Sequence, residues 1–191
     1  SPIVLYDWFL SLEQPNNTTL FRNDAYLKNF GLIPWKKTTK NPDAIPIGMT
    51  IDKSLYSNES HLGINCSACH VTEVLIGNKT VLIDGGVSHF DLWTFMTKLF
   101  ESMKATYNDA DKLGRFADRL SQDPAKIKAR LRIAIQSQEN WHVRNHASTL
   151  PGPGRADALN VILNQVTAHM LNRPDNARPV DAPASFPYLW D

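Results

Sequence analysis

Apolar positions along the chain change period several times, and each change marks an element. Val4, Leu5, Trp8, Phe9 and Leu12 recur at helical spacing over residues 4–12. Residues 24–30 predict a second short helix, closed by Gly31. Over 32–60 the periodicity fails. Pro34, Pro42 and Pro46 bar a regular helix there, and the polar, Ser- and Asn-rich run 54–60 reads as loop. Two β-branched runs, 73–76 and 80–83, flank Gly77-Asn78 and predict a small β-hairpin. Ser88 with Asp91 three residues on reads as a capping box. The helix it opens should bury Phe90, Trp93 and Phe100, with Met96 or Met103. A further helix is expected near 110–120. Asp123-Pro124 then supplies an N-cap and an N1 proline for another, to about residue 138. Residues 151–154 form a tight loop, and 155–171 read as one last long helix. From Asn172 the chain is Pro-rich and extended, yet it carries Phe186, Tyr188 and Trp190. Disordered tails avoid aromatics, so this one is expected to pack on something.

The resulting expectation is a mainly α fold, residues 1–191 in a single domain, with a small β-hairpin. Within it, 1–60 reads as a helical and loop extension, 61–171 as the core and 172–191 as an extended aromatic tail. With 191 residues, 42% of them hydrophobic, the chain can bury one substantial core. Twenty Lys and Arg against 19 Asp and Glu leave a net charge of +1, without the footprint of a nucleic-acid binder. No apolar run reaches the length of about eighteen residues that a membrane span requires. The opening Ser-Pro-Ile-Val-Leu lacks a basic region followed by an apolar stretch, so any signal peptide is expected to have been removed. Twelve Pro and 5 Trp point to long, ordered loops pinned by aromatics. Two Cys cannot build a disulfide-rich scaffold, a four-thiolate zinc site or an iron–sulfur cluster.

Their position is more informative than their number. The segment Asn65-Cys66-Ser67-Ala68-Cys69-His70 is the attachment pattern of a c-type haem. Two thiols three apart on a helical turn reach the two vinyl groups of one porphyrin, and the imidazole that follows is directed at the iron. This predicts haem c, covalently bound, one per chain, with His70 as proximal ligand. Three other chemistries remain on the table. A thioredoxin-like pair would need a strand ahead of the cysteines and a βαβ context. A zinc site would need two distant His, with no second pair at finger spacing. A disulfide between residues three apart would close a tiny loop and stabilise little.

The same segment belongs to a wider pattern. Gly63-Ile64-Asn65-Cys66-Ser67-Ala68-Cys69-His70 leads to Ile83-Asp84-Gly85-Gly86. Later come Gly152-Pro153-Gly154-Arg155-Ala156-Asp157-Ala158-Leu159-Asn160, Asn164-Gln165-Val166 and Asn176-Ala177-Arg178-Pro179. Asp181-Ala182-Pro183-Ala184-Ser185-Phe186-Pro187-Tyr188-Leu189-Trp190-Asp191 completes the set, and Asn41-Pro42-Asp43 with Pro46-Ile47-Gly48 also fits. Together these resemble the N-terminal haem half of the bacterial rubber oxygenases, relatives of the di-haem cytochrome c peroxidases. The resemblance implies a c-type cytochrome domain in a periplasmic or secreted protein whose leader has been removed. It also implies that this half handles dioxygen or peroxide, as a dioxygenase- or peroxidase-like oxidoreductase, while a second haem half relays electrons. A second haem domain or a redox partner protein is therefore expected to pack against the aromatic tail and the haem edge. This sequence holds one haem motif, which leaves three readings: a haem enzyme or part of one, a one-electron carrier, and a sensing or structural haem module.

Secondary candidates follow from the haem expectation. His169 or Met170 is a possible distal ligand. Arg155, Arg173 and Arg178 are candidates for pairing with propionates, against the equal alternative of solvated surface arginines. Trp190 and Tyr188 either cover a haem edge or anchor the tail. His142 and His146, at i, i+4, could hold zinc but lack the acidic partner of a metalloprotease. His61 and His89 read as hydrogen-bonding groups. No catalytic residue is identifiable from sequence.

Overall fold

The computed structural model describes residues 2–53 and 58–190; the rest of the polar loop 54–60, residues 54–57, lies outside the described residues. The chain opens with strand β1 (Pro2–Leu5), which runs directly into helix α1 (Tyr6–Ser11). After α2 (Asp24–Lys28) come β2 (Met49–Lys53) and β3 (Ser60–Ile64). β3 lies between β1 and β2, antiparallel to both, with Val4 opposite Leu62 and Met49 opposite Ile64. A four-residue helix, α3 (Ser67–His70), separates β3 from the hairpin β4 (Val71–Ile76) and β5 (Lys79–Asp84). Three helices follow: α4 (Leu92–Asn108), α5 (Ala110–Leu120) and α6 (Pro124–Arg144).

Aspartate side chains start all three. Asp91 accepts from the Thr94 amide, Asp109 from the amides of Asp111 and Lys112, and Asp123 from that of Lys126. The Ser88 capping box is therefore corrected: Ser88 Oγ accepts from the Phe90 amide in the preceding turn, and the N-cap is Asp91, three residues later. Its apolar face also differs. Phe95, Met96, Leu99 and Met103 are buried with Trp93, while Phe100 is half-buried, its ring 5.4 Å from that of His142. α5 closes at Ser121 in left-handed conformation, and α6 extends to Arg144, beyond the expected end.

The core joins α1, α2 and the three-stranded sheet to α4, α5 and α6. Phe21 sits at its centre, with ring contacts to Phe9, Tyr26, Phe30 and Phe95. Gly31 closes the α2 region at φ +76°, where an added Cβ would collide with the His89 carbonyl. A buried carboxylate ties α5 to the N-terminal region. Glu13, its side chain 1% exposed, accepts from Lys112 at 3.3 Å, Arg115 at 2.7 Å and Arg119 at 2.8 Å. Burial pushes its pKa up, but hydrogen bonds from Arg115, Arg119 and Lys112 outweigh that and hold it at about 2.

Two expectations fail here. The fold is mixed α/β, 43% helical and 18% strand in several sheets, so the mainly α c-type cytochrome fold is overturned. The missed strands pair across long sequence separations, β1 with β3 above all, and local periodicity carries no record of such a partner. The single helix over 155–171 also divides. Strand β6 (Arg155–Ala156) pairs with β7 (Ala184–Ser185), α7 (Ala158–Leu163) follows a cap at Asp157, and residues 164–170 wind as a π-helix.

Candidate functional site

The Cys-x-x-Cys-His turn is α3 itself, and the chain around it is tightly fitted. Asn65 donates its amide to the Gly48 carbonyl at 2.9 Å, and its side-chain oxygen accepts from the Ser67 amide at 3.0 Å. The amides of Cys69 and His70 both donate to the Cys66 carbonyl, which winds the turn. Beneath it, Gly48 adopts φ +86°, and an added Cβ would lie 2.2 Å from the Ala68 backbone. Only glycine lets the loop approach α3 this closely. On the far side the Ser88 amide donates to the Cys69 carbonyl at 3.1 Å.

The two thiols are free and differ in environment: Cys66 is exposed, while Cys69 is half-buried against the core. Burial, and then the neighbouring Cys66, push the Cys69 thiol up to about 11. Cys69 is thus a neutral thiol over the physiological range. A strand, β3, leads from the end of the polar run 54–60 toward the cysteines, where the sequence reading expects none. Yet α3 is one turn long, and the following strand β4 pairs with β5 rather than with β3. The parallel βαβ unit of a thioredoxin-like site is therefore not what surrounds this pair.

His70 is held from 117 residues away. Its Nδ1 lies 2.8 Å from the Pro187 carbonyl oxygen. A carbonyl only accepts, so Nδ1 carries the proton and the neutral ring keeps its lone pair on Nε2. Among the described residues nothing bonds to Nε2. The Phe186 ring packs 6.4 Å from the imidazole. Phe186 is itself fixed by its amide, which donates to the Gly154 carbonyl at 2.9 Å, next to the β6–β7 pair. Beyond Pro187, the Leu189 amide donates to Gly85 and the Trp190 indole N–H donates to the Asp84 carbonyl at 2.7 Å. Tyr188 and Trp190 stack with ring centroids 5.4 Å apart. The aromatic tail thus lies along the end of the β4–β5 hairpin and past α3. Sequence reasoning flagged the tail but had no signal linking Pro187 to His70.

Around this arrangement apolar side chains face solvent. Tyr188, Leu189 and Trp190 on the tail are exposed at the base of the hairpin, and Leu75 and Ile76, 73% and 63% exposed, stand at its turn end, away from His70. The donor set fits a covalently attached porphyrin iron: two free thiols on one turn, one imidazole nitrogen without a partner among the described residues, and the uncovered aromatic tail beside it. It does not fit zinc. Among the described residues no group of three or more His, Cys, Asp or Glu side chains is placed to hold a metal ion, which applies equally to His142 and His146. Burial instead lowers the His142 pKa, with its ring against Trp93 and Trp141.

The other candidates scatter. Arg155 is exposed, and its backbone pairs with Ser185, two residues before Pro187. Arg178 donates to the carbonyls of Asp175 and Ala177 in its own turn. Met170 is exposed, and His169 lines a cavity beside α6; neither shares a hydrogen bond or ring contact with His70 among the described residues. No helix among the described residues is long and apolar enough to cross a membrane.

Neither a protein-family model nor a solved structure matches the chain. A protein of Sinorhizobium fredii (strain NBRC 101917 / NGR234), described as uncharacterized protein y4iJ, is 28% identical over 217 aligned positions, taking in 97% of this chain. The chain spans 35% of that relative's length.

Proposed function

We propose that this protein is an exported redox protein carrying one haem on Cys66 and Cys69, with His70 as the proximal ligand. The observation that carries this is the state of His70. Its Nδ1–H is committed to the Pro187 carbonyl, and its Nε2 has no partner among the described residues, one residue after a Cys-x-x-Cys turn. Metal-ligating histidines are characteristically oriented by such a bond, which fixes the tautomer and raises the basicity of the free nitrogen. When bound, haem supplies one-electron iron chemistry and, where an axial position stays open, dioxygen or peroxide chemistry. The chain's own residues supply attachment, orientation and cover. Cys66 offers an exposed thiol, Cys69 a half-buried one, and Gly48 and Asn65 hold the turn between them. Tyr188, Leu189 and Trp190 give an apolar wall tied to the hairpin. Arg155 is an exposed cation, without an ion-pair partner among the described residues, on the strand pair leading to Pro187.

The likeness to the haem half of rubber oxygenases supports an oxidase- or peroxidase-type role over a simple electron carrier. Export follows because covalent attachment is completed outside the bacterial cytoplasm. The uncovered aromatic tail supports a second haem domain or a redox partner seated against it. Nucleic acid is not expected as a partner at a net charge of +1.

The test is production with the cytochrome c maturation machinery, followed by acid–acetone extraction and intact mass. Haem should stay on the polypeptide, and Cys69→Ala should leave at most one linkage. Freely extractable haem, or none, overturns the proposal. Absorption spectra then separate the carrier, low-spin with two axial ligands, from the enzyme, high-spin with an open face.

A further inference from the structure

Helix α6 carries Lys126, Lys128, Arg130, Arg132, His142 and Arg144 but a single carboxylate, Glu139. Two of the five Lys and Arg side chains have partners among the described residues. Lys128 lies over the Tyr107 ring, Arg130 pairs with Glu59 at 2.6 Å, and Glu139 pairs with Lys104. Arg132 and Arg144 differ from Lys126 in lining a common cavity. Among the described residues neither guanidinium has a hydrogen-bond or ion-pair partner, and both line one cavity of about 660 Å³. Arg132, Gln136, Asn140 and Arg144 follow at intervals of four, so each neighbours the next along the helix surface. Ser137 joins them, and His169 closes the cavity from the π-helical segment. No acidic side chain lines it.

We propose that this cavity binds a small elongated polyanion, an oligophosphate or polycarboxylate. The lining is exposed except at half-buried Arg144, so this is an open groove, and two unpaired guanidiniums on it raise the positive potential along it. Twelve residues of helix separate their backbones by about 18 Å. A ligand that presents separate anionic groups engages both guanidiniums with less convergence of the two side chains than a single phosphate or carboxylate requires. Between them, Gln136 and Asn140, hydrogen-bonded to each other at 3.3 Å, and Ser137 offer uncharged donors and acceptors to a polar middle. The guanidinium fork suits phosphate and carboxylate alike, so the two sources are separated by the probes. This site shares no residue with α3 and stands independently of the haem proposal.

The test is calorimetric titration of the full chain with tripolyphosphate, citrate and orthophosphate. Tripolyphosphate or citrate should bind saturably at one site, the tighter of the two identifying the chemistry, and orthophosphate about tenfold or more weaker because it engages both guanidiniums only if they converge. Arg132→Gln and Arg144→Gln should each weaken binding about tenfold, while Lys126→Gln, on the same helix outside the cavity, should leave it unchanged. Circular dichroism checks that each variant keeps its helix. In the unmodified chain, amide shifts on titration should centre on residues 132, 144 and 169. Absence of saturable binding at millimolar probe, equal affinity for orthophosphate, equal weakening by Lys126→Gln, or shifts centred elsewhere would overturn the proposal.

Discussion

Residues 6–32 and 90–131 bury Trp8, Phe9, Phe21, Phe30, Phe90, Phe95 and Phe116, whereas 145–190 bury only Ala168, Val180 and Phe186 among their apolar side chains. The first region makes its own interior. The second leaves Leu150, Leu159, Ile162, Leu163, Val166, Met170, Leu171, Tyr188, Leu189 and Trp190 facing outward. What holds the second region in place is polar. Asp157 accepts from the amides of Asn160 and Ala182, and those bonds, with one from the Asn160 side chain, outweigh burial and lower its pKa. Asn164, 1% exposed, bonds the carbonyls of Arg144 and Arg178 and the amide of Arg178. A segment fixed by hydrogen bonds can keep its shape while its apolar face stays available, which a segment fixed by apolar burial cannot. The site at His70 lies where the two regimes meet, its turn packed on the core through Ala68 and its imidazole held by the tail through Pro187.

The largest effect that probes this contrast is expected at Glu13. Replacing it by glutamine leaves Lys112, almost fully buried, beside two arginines without their shared carboxylate. Glu13→Gln should cost about 3 kcal/mol of global stability, read by urea unfolding. The pH dependence has a definite sign. The folded pKa of about 2 lies below the ordinary 4.5, so the stabilisation is fully present above about pH 4.5 and is lost as pH falls toward 2. The variant should show a flatter stability profile across that window. An unchanged slope would mean that other carboxylates carry the acid sensitivity.

A smaller and more local loss is expected at Asn164. Asn164→Ala removes three hydrogen bonds and leaves two carbonyls and an amide unpaired, a loss of about 1–3 kcal/mol. The distinguishing readout is hydrogen exchange. Protection should fall across 145–190 and hold in α4 and α5, whereas Glu13→Gln lowers both together. Uniform loss in the asparagine variant would show that the two regions unfold as one.

The contrast also explains what could be read from the sequence. α4 and α5 are legible from apolar periodicity and α6 from Asp123-Pro124 as well, although the α4 cap falls at Asp91 and not Ser88, and the hairpin 71–84 follows from Gly77-Asn78. β1, β2 and β3 do not, because Leu62 acquires meaning as a strand residue only opposite Val4 and Ile51. At the site, the Cys66, Cys69 and His70 spacing is fully legible. The carbonyl that fixes the imidazole, 117 residues on, is not, since backbone acceptors carry no side-chain signature. Similarly, nothing marks Glu13 as buried until Lys112, Arg115 and Arg119 arrive on another helix. The stretch 155–171 misleads for the opposite reason. Leu159, Ile162, Leu163, Val166 and Met170 recur at helical spacing, which reads as a core-facing stripe, but that stripe faces out.

That outward stripe gives the smallest expected effect. If α7 and the π-helical segment are held by Asn164 and Ala168 on their inner side, a polar residue on the outer side removes almost no folded-state contact. Leu163→Gln, at a position 52% exposed, should therefore change stability by no more than about 0.5 kcal/mol. The same substitution should reduce binding of an apolar dye such as ANS, because it interrupts a continuous uncovered face. A loss of several kcal/mol would mean that the stripe is packed in solution, and the contrast between the two regions would fail. Neutral stability with lowered dye binding would separate the surface that folds this chain from the surface it offers to something else.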